Sequence, residues 1–237
     1  MLISIHLPKT AGSSFASSLN EHFGKALLKD YKDLPLHHSS LNRNKHAIIQ
    51  SSFNYFRDFD NIQCIHGHFL PLKYRFHKVE KDFKYVTWLR EPAERLASQY
   101  FYMKRHYSHE KAITQPLLKR IVEEKWSLER FCLGPELRNT YSKFLWGFPT
   151  KKIDFIGIVE NYDNELNFFS ETFLKNNALS PYKQNINPTT NNQSYFSDNP
   201  KLKSRITQYH AKDYKLYKAA IELAYKQGRL TNTPPYL

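Results

Sequence analysis

The chain opens on LISIHL, where Leu2–Leu7 alternate between apolar and polar positions in the manner of a short strand. Ser13–Phe23 follows with Phe15, Leu19 and Phe23 on one stripe, the spacing of a helix with one apolar face. Ala47–Ser51 and Gln63–His68 are short apolar runs that predict strands, and KYVTWL, Lys84–Leu89, predicts a stronger one. Pro92–His106 then reads as a helix with its proline in the tolerated first turn. Ile113–Phe131 is mostly helical in pattern, and DFIGIV, Asp154–Val159, predicts another strand, followed by a helix over Asn164–Lys175. Asn176–Pro200, rich in Asn, Pro, Ser and Thr, predicts a long loop. Helices over Lys201–His210 and Asp213–Gln227 close the pattern. Strands alternating with helices predict an α/β fold: a central, mainly parallel sheet flanked by helices, with ligands at the carboxyl ends of the strands.

The 237 residues suit a single domain spanning 1–237. Composition adds one constraint. Lysine and arginine number 35 against 22 aspartate and glutamate, a net charge of +13 that favours an anionic partner. The lysines are scattered rather than gathered in a tract, which argues against a nucleic-acid tail. The two cysteines, Cys64 and Cys132, provide neither a disulfide framework nor zinc-ligand spacing, so both are expected as buried thiols in a reducing compartment. No apolar run reaches the roughly 18 residues of a membrane span, and the first residues lack a signal-peptide pattern. A cytoplasmic protein is expected, with a Golgi-lumenal domain separated from its anchor as the alternative.

Three stretches carry chemistry. In HLPKTAGSSF, small residues surround Lys9 where strand gives way to helix. Backbone N–H groups of a helix start, its dipole and a mobile cation together suit a phosphate, and Ser13 or Ser14 can cap the helix or donate to the anion. The loop is not the GxxxxGK[ST] phosphate loop, because Lys9 precedes Gly12. In TWLREPAERLASQYFY, Arg90 ends a strand where its fork can grip a phosphate, and Ser98 stands eight positions on. Glu91, Glu94 and Arg95 there have the spacing of ordinary helix-start pairs. In CIHGHF, His66 and His68 stand two apart, so a strand turns both to one side, and histidine is the usual general base near neutral pH. Gly67 between them suits a sharp backbone turn. The other nine histidines show no comparable context.

PKTAGSS resembles the 5′-phosphosulfate loop of sulfotransferases that use 3′-phosphoadenosine 5′-phosphosulfate (PAPS). The form is closest to the glycan-modifying branch, such as the heparan sulfate 2-O-sulfotransferases and their bacterial relatives. LREPAERLASQYFY resembles the 3′-phosphate motif of the same family, and the glycan 2-O-sulfotransferases carry a similar His-Gly-His. Weaker likenesses are LRNTYSKFLWG, FIGIVENYDN, the Asn-x-Asn of QNINPTTNN, and DYKLY. The resemblance implies a P-loop-NTPase-like sulfotransferase fold with PAPS as donor, PAP (adenosine 3′,5′-bisphosphate) as product, and no metal. It implies that Pro8, Lys9, Thr10, Ala11, Gly12, Ser13 and Ser14 hold the 5′-phosphate, and that Arg90 and Ser98 hold the 3′-phosphate. Lys9 would also stabilise the leaving oxygen, and His68, with His66 as support or second candidate, would be the base. The acceptor would be a hydroxyl, on a glycan by the same resemblance. Two rival readings are a nucleotide or sugar kinase with an atypical phosphate loop and a non-catalytic glycan-binding module.

Overall fold

The structure is a computed structural model that describes residues 1–36, 38–175, 179–180 and 195–230. Most of the expected loop over 176–200, including the Asn-x-Asn pattern, lies outside the described residues.

Five strands form one all-parallel sheet: β1 (Leu2–Ile5), β2 (Leu27–Lys29), β3 (Cys64–Gly67), β4 (Lys84–Leu89) and β5 (Ile153–Ile158), in the order β2-β3-β1-β4-β5. The central β1 pairs with β3 on one side and β4 on the other, so the loops that leave β1, β3 and β4 emerge side by side. Side-chain alternation sorts the core into two layers. Leu2, Cys64, Val86, Trp88 and Phe155 face α1 (Gly12–Phe23) through Phe15 and Leu19. Ile3, Ile5, Ile65, Tyr85 and Ile156 face the opposite layer.

The remaining helices are α2 (Ser40–Asn54), α3 (Leu72–Arg75), α4 (Pro92–Arg105), α5 (His109–Thr114), α6 (Pro116–Glu123), α7 (Leu128–Leu133), α8 (Thr140–Phe144), α9 (Tyr162–Phe173), α10 (Pro200–Tyr209) and α11 (Ala211–Lys226). The α/β architecture, β4, α4 and the closing helices match the pattern of the sequence. Two expectations are corrected and one strand is added. Ala47–Ser51 is not a strand but the middle of α2, whose start Ser39 caps by accepting from the Asn42 amide. The helix expected over Ile113–Phe131 is divided. Pro116 begins α6, Lys125 is left-handed at φ 49°, and Ser127 caps a fresh start for α7. The three-residue β2 carries no pattern of its own and exists because β3 pairs with it.

Cys64 and Cys132 are both free and buried, and burial pushes both thiols up, Cys132 to about 12. Among the described residues no helix is long and apolar enough to cross a membrane.

Candidate active site

The loop between β1 and α1 is tightly wound. Lys9 and Ala11 both adopt the left-handed conformation, at φ 64° and 58°. For residues with a Cβ this stores about 1–3 kcal/mol each, which the surrounding fold must sustain. The Thr10 hydroxyl is buried and donates to the Leu7 carbonyl at 2.9 Å, so its proton closes the loop. Ala11 is the N-cap of α1 and offers no side-chain acceptor. Neither Ser13 nor Ser14 caps the helix as expected, because both lie inside its first turn. The first turn also holds no acidic side chain, so the dipole's positive end is not neutralised locally.

The two anion motifs meet. The Lys9 ammonium lies 3.9 Å from the centroid of the Tyr102 ring. Tyr102 is one turn beyond Ser98 on α4, and Arg105 is one turn further, so Ser98, Tyr102 and Arg105 share the stripe that Lys9 overlies. Burial, then the Arg90 guanidinium, then Arg105 pull the Lys9 pKa down to about 8. Three cations therefore lie close to one another. Among the described residues the Arg90 guanidinium has no hydrogen bond or ion pair, and the half-buried Ser98 hydroxyl has no partner either.

Arg90 is held by its backbone. The Tyr141 hydroxyl donates to the Arg90 carbonyl at 2.6 Å and accepts from its amide at 3.1 Å. The next amide, Glu91, donates to Glu160 Oε1 at 2.8 Å, and the Tyr217 hydroxyl donates to Glu160 Oε2 at 3.2 Å. The Glu91 carboxylate caps α4 by accepting from the Glu94 amide and also accepts from the Tyr214 hydroxyl. Asp213 accepts from the Tyr141 and Ser142 amides, fixing the start of α8. The segments LRNTYSKFLWG, FIGIVENYDN and DYKLY thus supply the scaffold behind Arg90. Arg95 does not form the expected helix-start pair. It is 1% exposed and donates instead to Gln99 Oε1 at 2.7 Å.

The histidines form a third component. His66 and His68 both lie against the His6 ring, which is 5.1 Å from His66 and 4.0 Å from His68 and stacked at 25° to each. In sequence His6 has no context that sets it apart from the other histidines, and the structure corrects that by placing it in this cluster. The signal was available in its parity: Ser4 and His6 lie two apart, on the α1 side of β1, and Ser4 Oγ is 2.8 Å from His66 Nδ1. A Cβ on Gly12 would come within 1.8 Å of the His6 ring, so glycine is what lets α1 start against the imidazole. Gly67 does not make a turn: it lies within β3, and a Cβ there would come within 1.7 Å of the Asp30 carbonyl oxygen. Tyr31 completes the cluster, its hydroxyl 3.2 Å from His6 Nδ1 and its ring edge-on to His68.

Burial holds all three imidazoles below their ordinary value of 6.5, His66 at about 3, so they are neutral at pH 7. His68 Nδ1 lies 2.5 Å from the His6 carbonyl oxygen. Nδ1 must therefore carry the proton, which leaves the lone pair on Nε2, the form a general base needs. His66 is the more enclosed, at 1% exposure, with Nδ1 engaged by Ser4. The rings stack rather than converge, and among the described residues no group of His, Cys, Asp or Glu has the geometry to hold a metal ion.

The His66 ring has a consequence for stability. The unfolded chain protonates it below about 6.5, whereas the fold resists to about 3. Its contribution is fully present above pH 6.5 and is lost as pH falls. Between pH 7 and pH 5, urea unfolding of His66→Gln should therefore lose about 2 kcal/mol less than the unmodified protein. Equal losses in both would mean that the ring is not buried neutral.

Compared with models of protein families and with curated proteins, the chain matches none.

Proposed function

We propose that the chain is a sulfotransferase that moves the sulfuryl group of PAPS to an acceptor hydroxyl, on a glycan by the resemblance of its motifs. The observation that carries this reading is the convergence of Lys9, Arg90 and the Ser98–Tyr102 stripe where neighbouring strands β1 and β4 end, beside a neutral histidine. Two anion-gripping elements on one site suit a nucleotide phosphorylated at both ends of its ribose better than a single phosphate chain. The residues suit that ligand, because among the described residues the half-buried Arg90 guanidinium makes no hydrogen bond and the Ser98 hydroxyl has no partner, which leaves both for a 3′-phosphate.

PAPS, when bound, supplies a sulfuryl group on a phosphate leaving group. The chain's own residues do the rest. The amides of Gly12, Ser13 and Ser14 and the Lys9 ammonium hold the 5′-phosphate, and Lys9 offsets the negative charge that develops there. Arg90 and Ser98 hold the 3′-phosphate and so fix the reach of the donor. His68 Nε2 takes the acceptor's hydroxyl proton. His66 sits too deep for that task and supports the cluster through Ser4. Tyr31, 45% exposed beside His68, forms one rim of the acceptor side.

Calorimetric titration with PAP tests the reading. The unmodified chain should bind, and Arg90→Ala should bind about tenfold or more weakly. Binding of ATP with magnesium in preference to PAP would favour the kinase reading. Binding of neither would leave the loop a strained helix start with no nucleotide role.

A further inference from the structure

A second surface, separate from the β1/β4 site, is built the wrong way round for a helix packed on a core. The inner face of α2 buries Arg43, Ala47, Ser51 and Asn54, which are polar or small. Its outer stripe presents Leu41, Lys45, Ile48, Ile49 and Phe53, and Phe56 follows just past its end, with Phe53 73% and Phe56 77% exposed. Phe76, just beyond α3, and Trp146, just beyond α8, are exposed beside it. Ile48, Tyr55, Phe56, Leu72, Phe76 and Trp146 line an open groove of about 670 Å³, with the rest of the stripe outside it. Most of the large apolar side chains exposed among the described residues therefore gather on one face, and a patch of that kind marks an interaction surface.

Charge indicates what meets it. The groove is built from three stretches of chain, and none of them contains an acidic residue. There is no aspartate or glutamate between Asp33 and Asp58, between Asp60 and Glu80, or between Glu136 and Asp154. Exposed Lys45, Arg57 and Lys78 surround the apolar side chains, and Arg75 lines the groove, donating to the Gly147 carbonyl at 2.6 Å with no carboxylate partner among the described residues. The neighbouring Asp58 and Asp60 are exposed at one edge of this face, where Asp58 Oδ1 accepts from the Asp60 amide at 3.0 Å and Lys78 lies near both. A second copy of the chain is a poor occupant, because a two-fold contact would set this cationic face against itself. Aromatic and branched side chains ringed by lysine and arginine, with tryptophan and tyrosine at the edge, instead match the layering of an anionic lipid surface, acyl chains below and phosphates above.

We propose that the outer face of α2, with Phe76 and Trp146, docks on an anionic membrane surface. Phe53, Phe56 and Phe76 enter the acyl boundary, and Lys45, Arg57, Arg75 and Lys78 meet the headgroup phosphates. The test is co-sedimentation of the full chain with vesicles of phosphatidylcholine alone and of phosphatidylcholine with about 30% phosphatidylglycerol. Three variants are run alongside: Phe53→Ser/Phe56→Ser, Arg57→Gln/Arg75→Gln, and Lys119→Gln/Lys215→Gln on other helices. All the substituted side chains except Arg75 are exposed, and melting curves verify that each variant is folded. The expected result is binding to the anionic vesicles only, weakened about tenfold or more in each of the first two variants and nearly unchanged in the third. Equal weakening in all three would mean that net charge alone drives binding and would overturn the proposal. Absence of binding to either vesicle would overturn it too. So would a concentration-dependent dimer that Phe53→Ser/Phe56→Ser abolishes, which would assign the face to a second copy. None of these outcomes depends on whether the β1/β4 site binds PAP.

Discussion

Alanine at Gly67 should lower the unfolding free energy by more than about 3 kcal/mol, enough to leave a marginal domain partly unfolded at 25 °C. The added Cβ would lie 1.7 Å from the Asp30 carbonyl oxygen and 2.4 Å from its carbon. Those are backbone atoms of the edge next to β3, and they cannot swing away. Asp30 is itself pinned: its amide donates to the His66 carbonyl, and its carboxylate accepts from the Lys73 ammonium at 2.6 Å and the Tyr74 hydroxyl at 2.7 Å. Relief requires parting β2 from β3 and breaking a buried ion pair, which is why the cost is large. Gly12→Ala makes a useful contrast. Its Cβ meets the His6 ring, a side chain that can rotate outward. It should cost about 1–3 kcal/mol, with loss of the His6–His68 stack. Urea unfolding followed by circular dichroism separates the two. A Gly67→Ala protein within about 1 kcal/mol of the unmodified one would show that the β2 edge yields easily.

Lys9→Ala should weaken PAP binding by about a hundredfold and should also flatten its pH dependence. The ammonium is drawn down to about 8 by burial and by Arg90 and Arg105. In the free protein it is charged below pH 8 and loses its proton above. A bound phosphate favours the charged form, so binding near pH 8 takes up a proton, and affinity falls by up to about tenfold per pH unit above 8. Titration in two buffers of different ionisation enthalpy measures that uptake. Proton uptake that persists undiminished in Lys9→Ala would assign it to another group, and undiminished affinity would remove Lys9 from the site. In the transfer reaction itself, loss of this cation should cost about 10²–10³ in turnover.

Much of the site was legible because its motifs are local. PKTAGSS lies in one turn of chain, and the ladder of Ser98, Tyr102 and Arg105 follows from helical spacing once α4 is recognised. The sequence alone marks that ladder only as far as Ser98, because tyrosine and arginine are common on helix surfaces. The scaffold behind Arg90 was less legible. Tyr141, Glu160, Tyr214 and Tyr217 are far apart in sequence and act through single hydrogen bonds. No periodicity marks such contacts. Ala47–Ser51 predicts a strand but lies within α2, because it offers a short apolar run whose partner only the fold could supply or deny.

The sequence by itself determined the alternation of strands and helices, the position of the lysine loop at the end of the first strand, and the arginine at the end of a later one. Those are consequences of side-chain periodicity and turn chemistry, which act over a few residues. Only the tertiary structure decided that β1 lies between β3 and β4, so that the strand ends carrying Lys9, Arg90 and the histidines of CIHGHF lie side by side. It also turned His6 into the cluster and used Gly12 and Gly67 for close approach rather than for turns. Strand order is fixed by which buried faces fit together across the whole core, and that choice is spread over contacts too distant in the chain for any short stretch to encode.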